Sequence, residues 1–176
     1  MSTLRTDPLL GLAKALLTFM LVVIVIGMVG LGIGFAAAIG LHGMVAEKLA
    51  KAGAGESAYW LVLAMFPLIA AMLAAMHRFV EKLRAIVCTV EDGDPFIPDN
   101  AERLRAMAWL SVIIQLLSLP VGVVGSLLEK ATSEAGSVNI DAEFSTNGLL
   151  LALVLFILAR VFRTGAQMRE DLEGTV

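Results

Sequence analysis

Charged residues are scarce in this chain, and none lies in the middle of its apolar segments. Only 16% of the 176 residues are Asp, Glu, Lys or Arg, whereas about a quarter of the residues are charged in a typical soluble domain. Proton relays and ion-coupled transporters normally place ionisable groups inside the membrane. The lack of such groups at the centres of the apolar segments therefore argues against a pump.

Residues that could catalyse a reaction or hold a metal ion are also few. The single cysteine, Cys88, excludes an intramolecular disulfide, and its nearness to His77 in sequence is weak evidence for catalysis. The other histidine, His42, falls on the opposite membrane face in the topology derived below. The acidic turn at 91–99 lacks the ligand spacing of an EF-hand. We therefore predict a protein that is not an enzyme and that has no cofactor and no metal.

Apolar residues, in contrast, make up 59% of the chain and are concentrated in four long runs. About 20 helical residues cross the hydrocarbon core of a bilayer, so each run predicts a transmembrane helix. The first run is too long for the core of a cleaved signal peptide. The predicted fold class is an all-α membrane protein, a single domain over 1–176 built as a four-helix bundle. Its spans are predicted at about 15–41, 59–77, 107–128 and 147–163.

The distribution of positive charge predicts the orientation of these spans. With both termini in the cytoplasm, ten of the 13 Lys and Arg residues lie on the inner face and three on the outer face. The positive-inside rule then predicts a multi-pass protein of the bacterial inner membrane whose first partner is the lipid bilayer. Ten acidic residues balance the ten basic ones on the inner face, so we predict no direct binding to nucleic acid.

Three helices should continue beyond the membrane into the cytoplasm. Apolar residues keep helical spacing over 79–90, up to a turn that Gly93 punctuates. Asp99, followed by Glu102, predicts an N-cap for the next helix. The result is a cytoplasmic hairpin over 78–106, beside a cytoplasmic tail over 164–176 that continues the fourth helix. The apolar faces of these extensions could satisfy one another or also present a docking surface.

Small residues predict close helix packing in the membrane. Gly30, Gly34 and Ala38 are four residues apart and form one face of the first helix. Such a face lets two helix backbones approach closely. Packing within the bundle is the favoured interpretation, and homodimerisation through this face is the alternative.

A polar stripe runs along the third span. Ser111, Gln115 and Ser118 fall at positions i, i+4 and i+7 and therefore share one helix face. Such residues usually form hydrogen bonds between membrane helices. A polar pathway for a solute is the alternative.

Two stretches on the predicted inner face carry a family resemblance. Residues 93–104 read GDPFIPDNAERL, and residues 162–176 read FRTGAQMREDLEGTV. Together with four spans in these positions, they resemble the bacterial membrane family catalogued as domain of unknown function 2975, over nearly the whole chain. The candidate motif and docking residues in these stretches are Gly93, Pro95, Phe96, Asn100, Arg103, Leu104, Phe162, Gly165, Arg169 and Glu170.

The resemblance implies a small inner-membrane protein without known enzymatic activity. Genes of such proteins often lie beside a small helix-turn-helix regulator, which implies a membrane partner that holds or modulates a cytosolic DNA-binding protein. The predicted function is thus a regulatory or scaffold protein that docks such a partner on its cytoplasmic face. The sequence leaves open an accessory subunit of a larger membrane complex and, with less support, a transporter or channel for a small solute. The motif residues could equally be structural.

Overall fold

The computed structural model describes residues 8–51, 54–55, 57–131 and 146–173, and within these ranges all regular structure is helical. The end of the predicted tail, 174–176, lies outside the described residues. The helices are α1 (Pro8–Gly40), α2 (His42–Lys51), α3 (Ser57–Glu91), α4 (Pro98–Ala131) and α5 (Thr146–Glu173).

Four of the helices, α1, α3, α4 and α5, are long and apolar enough to cross a membrane. They confirm the predicted all-α class and the four apolar helices, and they indicate a multi-pass membrane protein. α3 has 35 residues and is therefore about 52 Å long. This length exceeds the roughly 30 Å of a bilayer's hydrocarbon core, so α3 must project beyond the core or tilt within it. α3 and α4 each continue past an internal proline, Pro67 and Pro120.

The fifth helix, α2, was not predicted. Its ten residues are too few for a span, and they lie between the predicted spans at 15–41 and 59–77. Backbone hydrogen bonds from Leu41 to Ala37 and from Val45 to Leu41 carry the helical pattern across the break after α1. An ion pair between Lys51 and Glu47, at 2.7 Å and one turn apart, adds local support.

The chain divides into two compact units. Among the described residues, the first unit comprises 8–24, 75–113 and 146–173. Its core forms where the apolar stripes of α3, α4 and α5 meet, and Ala108 on α4 is completely buried there. Small residues at such positions let helices approach closely. The buried core residues are Ile86, Leu104, Met107, Ala108, Leu155 and Ala159.

The second unit comprises the described residues of 25–74 and of 114–131. Here α1 packs on α3: the rings of Phe35 and Phe66 lie 5.4 Å apart, and a Cβ on Gly34 would stand 3.2 Å from Phe66 Cε1. Tyr59 donates a hydrogen bond of 3.2 Å to the carbonyl of Ala38. Gly34 and Ala38 thus contact α3, whereas a Cβ on Gly30 would have no atom within 4 Å.

Candidate functional site

The connection between α3 and α4 is a tight turn closed by a glycine. Gly93 has φ +85°, a conformation that glycine adopts without the steric cost of a Cβ. Its N–H donates to the carbonyl of Val90 at 3.1 Å, and the N–H of Asp94 donates to the carbonyl of Thr89 at 3.0 Å. This pair of bonds is the Schellman motif, which satisfies the last carbonyls of a helix. The two hydrogen bonds therefore fix the backbone at Gly93, where the turn begins.

The start of α4 differs slightly from the prediction. Pro98 is already helical, and a proline is well suited to the first helical position because its missing N–H would have no partner there. Asp99 lies inside the first turn instead of forming the N-cap, so that prediction was wrong. Its carboxylate lies 3.8 Å from Arg103.

Asn100 joins the end of α3, the turn and the start of α4. Its side chain is completely buried. Its Nδ2 donates to Thr89 Oγ1 at 2.7 Å and to the carbonyl of Pro95 at 2.9 Å, and its Oδ1 accepts from Arg103 Nη1 at 2.8 Å. Thr89 Oγ1 in turn donates to the carbonyl of Ile86 at 2.7 Å. We call these bonds the Asn100 network. A buried amide satisfied on both sides fixes the local geometry.

Phe96, at the far end of the turn, lies against α5. Its ring centroid is 5.1 Å from that of Phe162, within the range of favourable aromatic pairs. A Cβ added to Gly165 would stand 2.8 Å from Phe96 Cδ1. Gly165 is therefore needed for the ring to lie directly on the α5 backbone, although glycine inside a helix is less favourable than alanine.

Two ion pairs also connect α5 with the α3–α4 hairpin. Arg169 pairs with Asp94 in the turn, and Arg163 pairs with Glu102 on α4. All four side chains are at least 40% exposed, and exposed pairs contribute at most about 1 kcal/mol. These two pairs therefore contribute little to the stability of the contact between α5 and the hairpin.

The structure brings together nearly all of the predicted motif residues. We call residues 93–104 and 162–170 the turn–tail site. Leu104 lies in the core beneath it, and Glu170 is exposed with no ion pair among the described residues. Thr89, Asp94 and Arg163 were not among the predicted site residues, because nothing in the sequence shows which partners they contact. The residues that the site does bring together are Gly93, Pro95, Phe96, Asn100, Arg103, Leu104, Phe162, Gly165 and Arg169.

An exposed apolar surface adjoins these contacts. Phe96 remains 43% exposed although it packs on α5. Met168 follows Gly165 by three residues on the same helix face and is 62% exposed, and Leu172 continues that face and is also exposed. An apolar surface among charged residues commonly marks an interaction site.

The polar stripe of α4 is engaged in hydrogen bonds. Ser111 donates to the carbonyl of Gly148 on α5 at 3.1 Å. Ser118 donates to the carbonyl of Gln115 in its own helix at 2.7 Å, and Gln115 is itself buried. Ser111 therefore forms a bond between helices.

Across the described ranges, no three His, Cys, Asp or Glu side chains are grouped as metal ligands. A family model described as "Protein of unknown function (DUF2975)" matches residues 44–176. This match covers both motif stretches, all of α3, α4 and α5, and all but the first two residues of α2. No curated protein and no solved structure matches the chain.

Proposed function

The chain belongs to the DUF2975 family of proteins of unknown function. From its geometry, we propose that it is a regulatory or scaffold protein of the bacterial inner membrane. In this proposal it docks a cytosolic partner on the turn–tail site and is not an enzyme. Both termini and the α3–α4 turn lie in the cytoplasm, as the excess of positive charge on that face favours.

One observation carries this proposal. The Asn100 network and the contact of Phe96 with Gly165 hold the turn in a fixed place, yet the Phe96 ring stays 43% exposed beside the exposed Met168. A turn that only closed a hairpin would gain stability by burying the ring completely. A rigid apolar surface facing the cytoplasm would instead suit an amphipathic helix of a partner.

The partner that we propose is a soluble helix-turn-helix DNA-binding protein. The reason is the family resemblance, since genes of such membrane proteins often lie beside such a regulator. The membrane protein would then hold or release the regulator without touching DNA itself.

The test is affinity purification of the full-length protein from its own membrane in mild detergent. Met168→Glu places a charge in the proposed surface, and Met44→Glu on α2 is the matched control because Met44 is 59% exposed. We expect a helix-turn-helix protein to co-purify with the wild type and with Met44→Glu but not with Met168→Glu. Equal recovery with both variants, or recovery of no DNA-binding protein, would contradict the proposal. Fusion of a cytoplasm-dependent reporter to the C-terminus tests the orientation separately.

A second function, as an accessory subunit or homodimer, has support from α1. Only 6% of the apolar window of α1 is buried, against 17–28% in the other three long helices. Around Gly27, Gly30 and Gly32, an added Cβ would meet no atom within 4 Å. Gly30→Ile should then shift the complex to a smaller mass by native mass spectrometry. A wild-type protein that is monomeric in mild detergent would argue against this function. Transport has less support, because Ser111 and Ser118 already donate to backbone carbonyls.

A further inference from the structure

A basic groove lies between α4 and α5. Its volume is about 420 Å³, and one part of its wall is cationic while another is apolar. The residues that line it are Arg105, Phe156, Ala159, Arg160, Arg163 and Thr164. Three of the six are arginines and none is acidic.

The arginines leave the groove with a net positive charge. Arg163 is paired with Glu102, whereas Arg105 and Arg160 form no ion pair within the described part of the chain. Both are exposed, so their guanidinium groups can reach a ligand in the groove. The planar guanidinium donates two parallel hydrogen bonds to a phosphate. Two such groups without a carboxylate partner favour an anion that carries phosphate oxygens.

The apolar wall of the groove extends along the membrane-spanning part of α5. Phe156 meets Trp109 of α4 edge to face, with ring centroids 5.6 Å apart. Trp109 is 54% exposed, and tryptophan prefers the boundary between hydrocarbon and headgroups. Leu153 and Ile157 continue the exposed apolar surface of α5 from this point. A ligand that fills the groove therefore meets cations at one end and hydrocarbon-like surface at the other.

We propose that this groove binds the phosphate headgroup of an anionic phospholipid, with an acyl chain along Phe156 and Trp109. Inorganic phosphate shares the headgroup chemistry but would use only the arginines. Two arginines without an acidic partner suit a headgroup with two phosphates, so cardiolipin is the probe of choice. Basic pockets between membrane helices commonly recognise such headgroups.

The first experiment measures lipid binding to the full-length protein by native mass spectrometry. Cardiolipin, phosphatidylcholine and inorganic phosphate are each added alone, and inorganic phosphate is also added to the protein with cardiolipin bound. We expect cardiolipin to bind, and Arg105→Gln/Arg160→Gln to weaken that binding about tenfold or more, since each basic side chain near a lipid surface contributes substantially. Arg78→Gln/Lys82→Gln removes the same charge elsewhere and should leave binding unchanged. Arg105→Lys/Arg160→Lys keeps the charge but loses the paired hydrogen bonds of the guanidinium, so its binding should fall between that of the wild type and that of the glutamine variant.

Three outcomes would overturn the proposal. In the first, Arg78→Gln/Lys82→Gln weakens cardiolipin binding as much as Arg105→Gln/Arg160→Gln does. In the second, phosphatidylcholine binds as tightly as cardiolipin. In the third, inorganic phosphate displaces cardiolipin. Far-UV circular dichroism of each variant in phosphatidylcholine shows whether its helices are intact. If the glutamine variant lacks intact helices, the lysine variant and the wild-type lipid preference decide the result.

A second experiment locates the acyl chain. The chain has two tryptophans, so Trp60→Phe leaves Trp109 as the only indole. The protein is placed in bilayers of phosphatidylcholine. A small fraction of cardiolipin with brominated acyl chains should quench the fluorescence of Trp109 more than the same fraction of brominated phosphatidylcholine does. Arg105→Gln/Arg160→Gln should abolish that difference. Equal quenching by the two brominated lipids would contradict the proposed site.

Discussion

Replacing Asn100 by alanine should destabilise the protein by about 2–4 kcal/mol. The substitution removes two neutral hydrogen bonds, to Thr89 and to the carbonyl of Pro95, and each contributes about 1 kcal/mol. It also removes the bond from Arg103. We value that bond at the low end of the range for charged groups, because the Arg103 side chain is 27% exposed and Asp99 lies 3.8 Å away as another partner. The partly buried carbonyl of Pro95 would lose this partner, and its desolvation accounts for the upper end of the range.

The assay is reversible unfolding of the full-length protein in dodecyl maltoside by titration with sodium dodecyl sulfate, followed by helical ellipticity. Asn147→Ala is the matched control, because Asn147 lies at the exposed start of α5 and should change the free energy of unfolding by less than about 0.5 kcal/mol. Thr89→Val should cost less in the Asn100→Ala background than in the wild type, because the two residues share one bond. If Asn100→Ala and Asn147→Ala unfold within about 0.5 kcal/mol of each other, the Asn100 network does not stabilise the hairpin.

Three further predictions use the same titration. Gly93→Ala should cost about 1–2 kcal/mol because of its positive φ, and Gly93→Asn should cost less; equal costs would contradict a backbone origin. Gly165→Ala should destabilise the wild type by displacing the Phe96 ring. In a Phe96→Ala background the same change should be neutral or stabilising by up to about 1 kcal/mol, so additive effects would contradict the close contact. Ser111→Ala should cost about 0.5–1 kcal/mol, more than Ser118→Ala, because only Ser111 bonds to another helix; an equal cost would argue against that role.

Hydropathy and helical spacing were sufficient to predict the four long helices. The continuation of α3 to Glu91 followed from apolar residues at helical spacing, and the turn followed from Gly93. α2 was not predicted because its ten residues form fewer than three helical turns, which is too short for a clear periodic pattern. The spacing of Glu47 and Lys51, four residues apart, indicates a helix. This indication was weak because such pairs stabilise helices only slightly.

The pairing of residues across the turn–tail site could not be predicted from the sequence. Arg163 meets Glu102 across 61 positions and Arg169 meets Asp94 across 75 positions. The segments around the turn and the tail hold many acids and bases, and composition does not select among their combinations. Gly165 illustrates the same limit: the sequence shows a glycine in a helix, whereas only the packing shows that Phe96 occupies the place of its Cβ. The resemblance pointed to Phe96, Gly165 and Arg169 without giving the reason for any of them.

The exposed part of the turn–tail site sets a limit on how tightly it can bind a partner. A phenylalanine offers roughly 200 Å² of surface, so the 43% that Phe96 exposes would yield about 2 kcal/mol when covered. Met168 would contribute a similar amount. The sum of about 4 kcal/mol is no more than the cost of association, so these two residues cannot hold a partner alone.

Leu172 on the same face adds exposed apolar surface, and the adjacent Arg169, whose side chain is 47% exposed, adds an electrostatic contribution. Exposed charges are screened by salt, so we expect the proposed complex to weaken at least about tenfold between low and high salt, with an association rate that falls in parallel. Surface plasmon resonance with the purified partner measures both quantities. Arg169→Gln should reduce the salt dependence, whereas Glu170→Gln, about 200° round the helix from Met168, is the control and should leave it unchanged. Met168→Glu should weaken binding at every salt concentration. An affinity that does not change with salt would mean that the partner buries apolar surface beyond Phe96 and Met168.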